Sequence, residues 1–202
     1  MRKEKTMLLK RGNSKLSRNI LIFNLPPGKS CPNSRDCIKT CYAKKSYNQY
    51  PSCKKSWDDN LDMAKNNPLQ LYNQLRDELT YFFNKGLQIV RVHSSGDFFS
   101  KAYAEIWLRL AQIFPKMRFY TYTKAEIKDL ELLDNLKNFN LIHSKIDGKL
   151  NYGAKEHCIK LKKEFDCFIC PDTKRAKKEK DKICGNSCHY CVTEKRPVFI
   201  QH

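Results

Sequence analysis

No stretch of the 202 residues approaches the run of about 18 apolar side chains that a membrane-spanning helix needs. Met1 to Lys10 carries charge but no apolar segment of useful length. The sequence therefore predicts neither an integral membrane protein nor a secreted one, and the expected location is the cytoplasm. Internal repeats and low-complexity linkers are also missing. Acidic residues are nearly absent from one region: residues 1–55 hold 2 against 14 Lys or Arg. Core material is not lacking. Hydrophobic residues make up 41%, with 21 Phe and Tyr together, so wholesale disorder is excluded.

The basic excess is uneven. Residues 56–154 are nearly neutral, with 13 Lys or Arg against 12 acids, whereas residues 155–202 hold 12 against 7. The formal net charge of +18 thus sits on the two ends. Concentrated positive charge suits a polyanion, DNA or RNA above all. The alternative is a solubility charge on a lysine-rich chain, since Lys outnumbers Arg 29 to 10. The sequence leaves the oligomeric state open.

Strand and helix signals alternate along the middle. Ile20 to Leu25 reads as a strand ending at Pro26-Pro27-Gly28. Ser56 to Asn66 reads as a helix, and Pro68 restarts one whose Leu69, Tyr72, Leu75, Leu79, Phe82 and Phe83 keep a helical period up to Gly86. Gln88 to His93 reads as a strand with Val90 and Val92 on one face and Arg91 and His93 on the other. Ser100 to Phe114 is an amphipathic helix, and Arg118 to Thr123 a strand. Thr123 and Glu126 form a capping-box pattern that predicts a helix to about Leu136. Leu141 to Ser144 reads as a further strand, and Lys174 to Lys182 as an exposed charged loop. The pattern predicts an α/β core over residues 1–154, with mainly parallel strands, and a cysteine-rich metal-binding segment over 155–202.

In parallel α/β folds chemistry gathers at the C-terminal ends of strands. Here those ends carry the loop from Cys31 to Cys41, Ser94-Ser95-Gly96-Asp97, Thr123-Lys124 and Ser144 to Asp147. Asp97, His93 and Lys124 are the candidate catalytic residues. Ser94, Ser95, Gly96, Asp97 and Thr123 are the candidate cofactor-binding residues. Each has a plainer alternative: Asp97, Ser100 and Thr123 as helix caps, Arg91 and His93 as satisfied interior groups.

The ten cysteines form two groups. Cys31, Cys37 and Cys41 make the first, with Cys53 further on. Cys167 and Cys170 followed by Cys184, Cys188 and Cys191 make the second, with Cys158 upstream. Cytosolic thiols do not persist as disulfides, so clustered cysteines there point to metal. The expected ligands are Cys31, Cys37, Cys41, Cys170, Cys184, Cys188 and Cys191. Cys53 and Cys158 also read as small buried hydrophobes. Zinc and iron–sulfur clusters both take thiolates. Gaps of three and five residues suit a cluster, which is wider than one ion.

Several segments taken together carry a resemblance: Gly12-Asn-Ser-Lys-Leu16, Phe23-Asn-Leu-Pro26, Cys31-Pro32, Cys41-Tyr-Ala-Lys44, Val92-His-Ser-Ser-Gly-Asp-Phe98, Tyr120-Thr-Tyr-Thr-Lys124 and Cys170-Pro171 with the later cysteines. Their order resembles the gene-product-88-like family of phages and mobile elements, whose function is largely uncharacterised. A more distant likeness is to the radical S-adenosylmethionine superfamily, in which a strand leads into a three-cysteine loop. That likeness implies a reduced or partial β/α barrel-like core and a [4Fe–4S] cluster on Cys31, Cys37 and Cys41. It also implies S-adenosylmethionine as cofactor, with Gly96-Asp97 contacting its amine. The superfamily's usual Cys-x3-Cys-x2-Cys spacing occurs literally at Cys184, Cys188 and Cys191, read as an auxiliary or structural cluster with Cys170. The expected function is an iron–sulfur enzyme of that type acting on nucleic acid or a nucleotide, in the host cytoplasm if phage-encoded. The alternative is a basic nucleic-acid-binding protein stapled by zinc or closed clusters, with Tyr42, Tyr47 and Tyr50 stacking on bases or packing about the metal loop. A third possibility is an electron carrier with two closed clusters.

Overall fold

Ile20-Leu-Ile-Phe23 is apolar at every position because both its faces are covered. It forms β2 of a five-stranded sheet in the computed structural model, which describes residues 6–14, 16–34, 37–125, 128 and 130–144, and the backbone alone of 145–146, 149–150, 152–153, 168–169 and 197–200. The sheet's order is β1 (Lys10–Arg11), β2 (Ile20–Phe23), β3 (Ile89–Val92), β4 (Arg118–Thr123), β5 (Phe139–His143). β2 to β5 run parallel, and β1 pairs antiparallel with β2 at the edge. The turn between β1 and β2 hinges on Gly12 at φ +58, where an added Cβ would lie 2.6 Å from the Ser17 carbonyl oxygen. No other residue fits there without backbone movement.

Strand order follows chain order, so the sheet winds in one direction without a switch point. One face takes the row Leu21, Val90, Phe119 and Phe139, all in register. These pack under the helices α2 (Pro51–Asn66), α3 (Pro68–Asn84) and α4 (Lys101–Ile113), against Leu61, Leu71, Leu75, Leu79, Trp107 and Leu110. The other face takes the row Ile22, Arg91, Tyr120 and Asn140. There the Arg91 guanidinium stands 5.0 Å from the Tyr122 ring centre and 5.8 Å from that of Tyr120.

The α/β class and the parallel strands match the sequence expectation. Several details differ. α2 begins at Pro51, not Ser56, and a separate helix α1 (Tyr42–Gln49) precedes it. The buried stripe of α3 is Leu71, Gln74, Leu75, Glu78, Leu79 and Phe82, while Leu69 is exposed. Glu78 is buried on that stripe because its carboxylate accepts the backbone N–H groups of Leu8 and Leu9, docking the N-terminal segment. After β4, the only α-helix among the described residues of that stretch is the single turn α5 (Glu131–Asp134). Thr123 accepts the Ala125 N–H, as an N-cap would, but Lys124 and Ala125 are not helical, and Glu126, the other half of the expected capping box, lies outside the described residues.

Beyond β5, β6 (Lys145–Ile146) and β7 (Lys149–Leu150) form a hairpin. β10 (Pro197–Ile200) pairs in parallel with both β8 (Tyr152–Gly153) and β9 (Phe168–Ile169), so a small sheet draws strands from both sides of residue 154. Cys158, Cys167, Cys170, Cys184, Cys188 and Cys191, and the Lys174–Lys182 loop, lie outside the described residues. No described helix is long and apolar enough to cross a membrane.

Candidate functional site

β2 and β3 run side by side, so the loops that leave them meet at the same end of the sheet. The Asn24 side-chain oxygen accepts the backbone N–H groups of Ser94 at 2.9 Å and Ser95 at 3.0 Å. Leu25 N–H donates to the Ser95 carbonyl at 2.9 Å. Gly96 lies between them at φ +91. A Cβ there would stand 2.5 Å from Leu25 Cβ and 2.7 Å from Ser30 Oγ. The missing side chain is what lets the Pro26–Cys31 loop close on the turn after β3. Ser30 is fully buried and fixes that loop by donating to the Pro26 carbonyl at 2.7 Å.

Asp97 ties this turn to β4. One carboxylate oxygen accepts the Phe98 N–H at 2.8 Å and the Thr123 hydroxyl at 2.6 Å, and the other accepts the Lys124 N–H at 2.8 Å. Burial pushes its carboxyl above the ordinary range, and the three hydrogen bonds pull the other way. Lys124 in turn offers its carbonyl to the Asn33 side chain, which joins β4 to the cysteine loop. Ser144 N–H donates to the Thr123 carbonyl, bringing the end of β5 onto the same rim. Ser100, by contrast, is a helix cap for α4, accepting the Tyr103 N–H.

His93 is not on the face of Arg91, where strand alternation puts it. At φ +68 it leaves the strand conformation, and its ring turns into the helix-side core. There it meets Phe23, Phe98 and Tyr103. Its Nε2 is 2.7 Å from the Tyr103 hydroxyl. Burial pulls its pKa down to about 3, so the imidazole is neutral at physiological pH. Its Nδ1 and the hydroxyls of Ser94 and Ser95 are buried without a hydrogen-bond partner among the described residues. Buried polar atoms rarely stay unpaired, so these three are the positions at the rim where a water or ligand would be held.

Cys31, Cys37 and Cys41 lie on one loop above this rim, all half-buried and none in a disulfide. Burial pushes the Cys31 thiol up to about 11, and the nearby Asp97 and Cys37 add to the shift. A cation or metal is therefore needed to hold it as thiolate. Cys41 stands at the N-cap position of α1 without a side-chain capping bond, whereas Cys53 lies in the first turn of α2. Among the described residues no three of His, Cys, Asp and Glu are gathered tightly enough for a single metal ion. By type, these thiols are donors of the kind that zinc and iron–sulfur clusters take.

α1 leaves this loop with Tyr42, whose hydroxyl donates to the Ser94 carbonyl. Tyr47 does not face outward with its neighbours. It is buried, donates to Asp58 at 2.8 Å and stacks on Trp57. Burial opposes ionisation of Asp58, but Lys54, Tyr47 and Lys29 outweigh it and hold the carboxyl at about 2. Sequence reading missed Asn24, Ser30 and Asn33, the polar residues that orient the rim. Phe23-Asn-Leu-Pro26 carried a signal for Asn24, a side chain with an amide oxygen at a strand end.

The family model for gene product 88 matches residues 7–197. The chain belongs to the gene product 88 family. Among its relatives is the gene 88 protein of Mycobacterium phage L5, 27% identical over 204 residues, covering 88% of this chain and 85% of that protein. The gene 88 protein of Mycobacterium phage D29 is 28% identical over 132 residues, covering 60% of this chain and 55% of that protein. No solved structure matches.

Proposed function

We propose that this gene product 88 protein is an iron–sulfur enzyme of the radical S-adenosylmethionine type, acting on nucleic acid or a nucleotide in the cytoplasm of a phage host. One observation carries the reading: the Asn24–Ser30 segment that leads into the three-cysteine loop is packed directly on the Ser94–Asp97 turn at the C-terminal end of a singly wound parallel sheet. Such winding is that of a partial β/α barrel, and ligands of parallel sheets bind at this end.

Cys31, Cys37 and Cys41 are the proposed cluster ligands. A bound cluster would pass an electron from an external reductant to S-adenosylmethionine and cleave it reductively. The chain's own residues position and enclose the ligands. Ser94 and Ser95 offer buried hydroxyls to the cofactor, and Gly96 lets the loop that leads to Cys31 close on the turn beside them. Asp97, whose oxygens already accept three hydrogen bonds, acts by holding Thr123 and Lys124 in place. His93 supports the turn from below as a neutral ring. Cys170, Cys184, Cys188 and Cys191 are the proposed ligands of a second cluster.

The test is anaerobic incubation of the purified protein with S-adenosylmethionine and a one-electron reductant. Methionine release that disappears in Cys37→Ser is expected. Protein that carries a full complement of iron and sulfide but releases no methionine would refute the radical chemistry.

A further inference from the structure

We infer that the exposed side of α1 holds a single strand of nucleic acid and delivers it to the rim, which names the substrate class of the proposed enzyme and rests on that reading. Ala43 and Tyr47 turn inward on this helix. Tyr42, Lys44, Lys45, Asn48 and Gln49 face solvent, with Lys39 just before and Tyr50 just after. The Tyr42 and Tyr50 rings, at either end of this helix, are 66% and 50% exposed.

The charges divide between two adjacent helices. Lys54 and Lys55 of α2 pair with Asp58 and Asp59. Lys39, Lys44 and Lys45 make no ion pair among the described residues. No Asp or Glu occurs from Cys37 to Trp57. A surface of uncompensated lysines flanked by exposed aromatic rings matches a single strand, whose phosphates need cations and whose unpaired bases need stacking partners. A duplex keeps its bases stacked internally and gains nothing from the rings. An acidic protein would use the lysines alone. Delivery follows from Tyr42, whose hydroxyl is bonded to Ser94 at the rim.

The experiment is fluorescence anisotropy with a labelled single-stranded oligonucleotide, as DNA and as RNA, and with the matching duplex, across a salt series. Iron content is measured on each sample, so a protein without a cluster that still binds here separates this inference from the enzyme reading. Substituting Lys39, Lys44 and Lys45 together by Ala should weaken single-strand binding roughly tenfold or more and reduce the salt slope by about 2. Tyr50→Ala should weaken it roughly fivefold. Lys85, Lys116 and Lys137, exposed at the opposite end of the sheet, give a charge-matched control, and their joint replacement by Ala should change affinity less than about twofold. Thermal melts verify that each variant is folded. Equal losses in the two triple variants, an unaffected Tyr50→Ala, duplex binding as tight as single-strand binding, or no binding by the wild type would each overturn the inference.

Discussion

Below Val92 the sheet is closed by apolar side chains, and above it by hydrogen bonds made one at a time. The lower part stacks Leu21, Val90, Phe119 and Phe139 under Trp107, Leu75 and Leu110. Each of those contacts is weak and shared among many neighbours, so the layer tolerates small losses. The rim is different. Asn24 alone satisfies two backbone donors, and Asp97 alone satisfies three donors from two elements. Such an arrangement sets geometry closely and has no redundancy. Among the described residues it also leaves the buried Ser94 and Ser95 hydroxyls without a hydrogen-bond partner.

His93 joins the two regions, and acid should break the comparison most strongly there. Its folded pKa of about 3 lies below the unfolded value near 6.5. The unfolded chain therefore binds the extra proton first. The stability this provides is complete above pH 6.5 and is lost as pH falls toward 3, on the order of 5 kcal/mol in total. Urea unfolding between pH 7 and 4 should show roughly two-thirds of that loss, and His93→Leu should flatten the pH dependence. Within the apolar layer, Trp107→Ala removes a fully buried ring that meets Phe23 edge-on, and should cost about 3–5 kcal/mol by the same assay.

At the rim, Gly96→Ala should cost about 1–3 kcal/mol, because the new methyl meets Leu25 and Ser30. Its larger effect should be on metal content, since the cysteine loop must lift. Asp97→Asn replaces an acceptor with a donor facing a backbone N–H, and should cost about 1–3 kcal/mol. The smallest change expected is Ser95→Ala, within about 0.5 kcal/mol of wild type in chemical unfolding, because its hydroxyl has no partner among the described residues. A loss above 2 kcal/mol there would show that the hydroxyl serves the fold and not a ligand.

Strands β2 to β5, α3 and α4 were legible in the sequence because their apolar patterns and turn residues mark them, whereas β1 and the two-residue strands beyond β5 were not read. Val90 and Val92 announce a buried face, and Pro68 and Gly86 bracket a helix. The rim residues at strand ends were also legible as a set. His93 was not, since period-2 alternation assumes a strand conformation that its positive φ breaks. The helix expected from Thr123 is observed as the single turn Glu131–Asp134, because a capping pattern marks where a helix can start and does not set its length. The start of α2 was missed although Pro51 marks a first helical position. Asn24 and Asn33 act on partners 70 and 91 residues away; the strand end marks Asn24 as a polar residue, but no local pattern reveals which partners the two bond.

The most direct test of the account is to purify the protein without oxygen and count iron, acid-labile sulfide and zinc per chain, in wild type and in a Cys31→Ser, Cys37→Ser, Cys41→Ser variant. About four or eight irons with matching sulfide are predicted, with about four lost in the variant. One or two zincs without sulfide, or iron that does not depend on these three cysteines, would contradict a cluster at the rim.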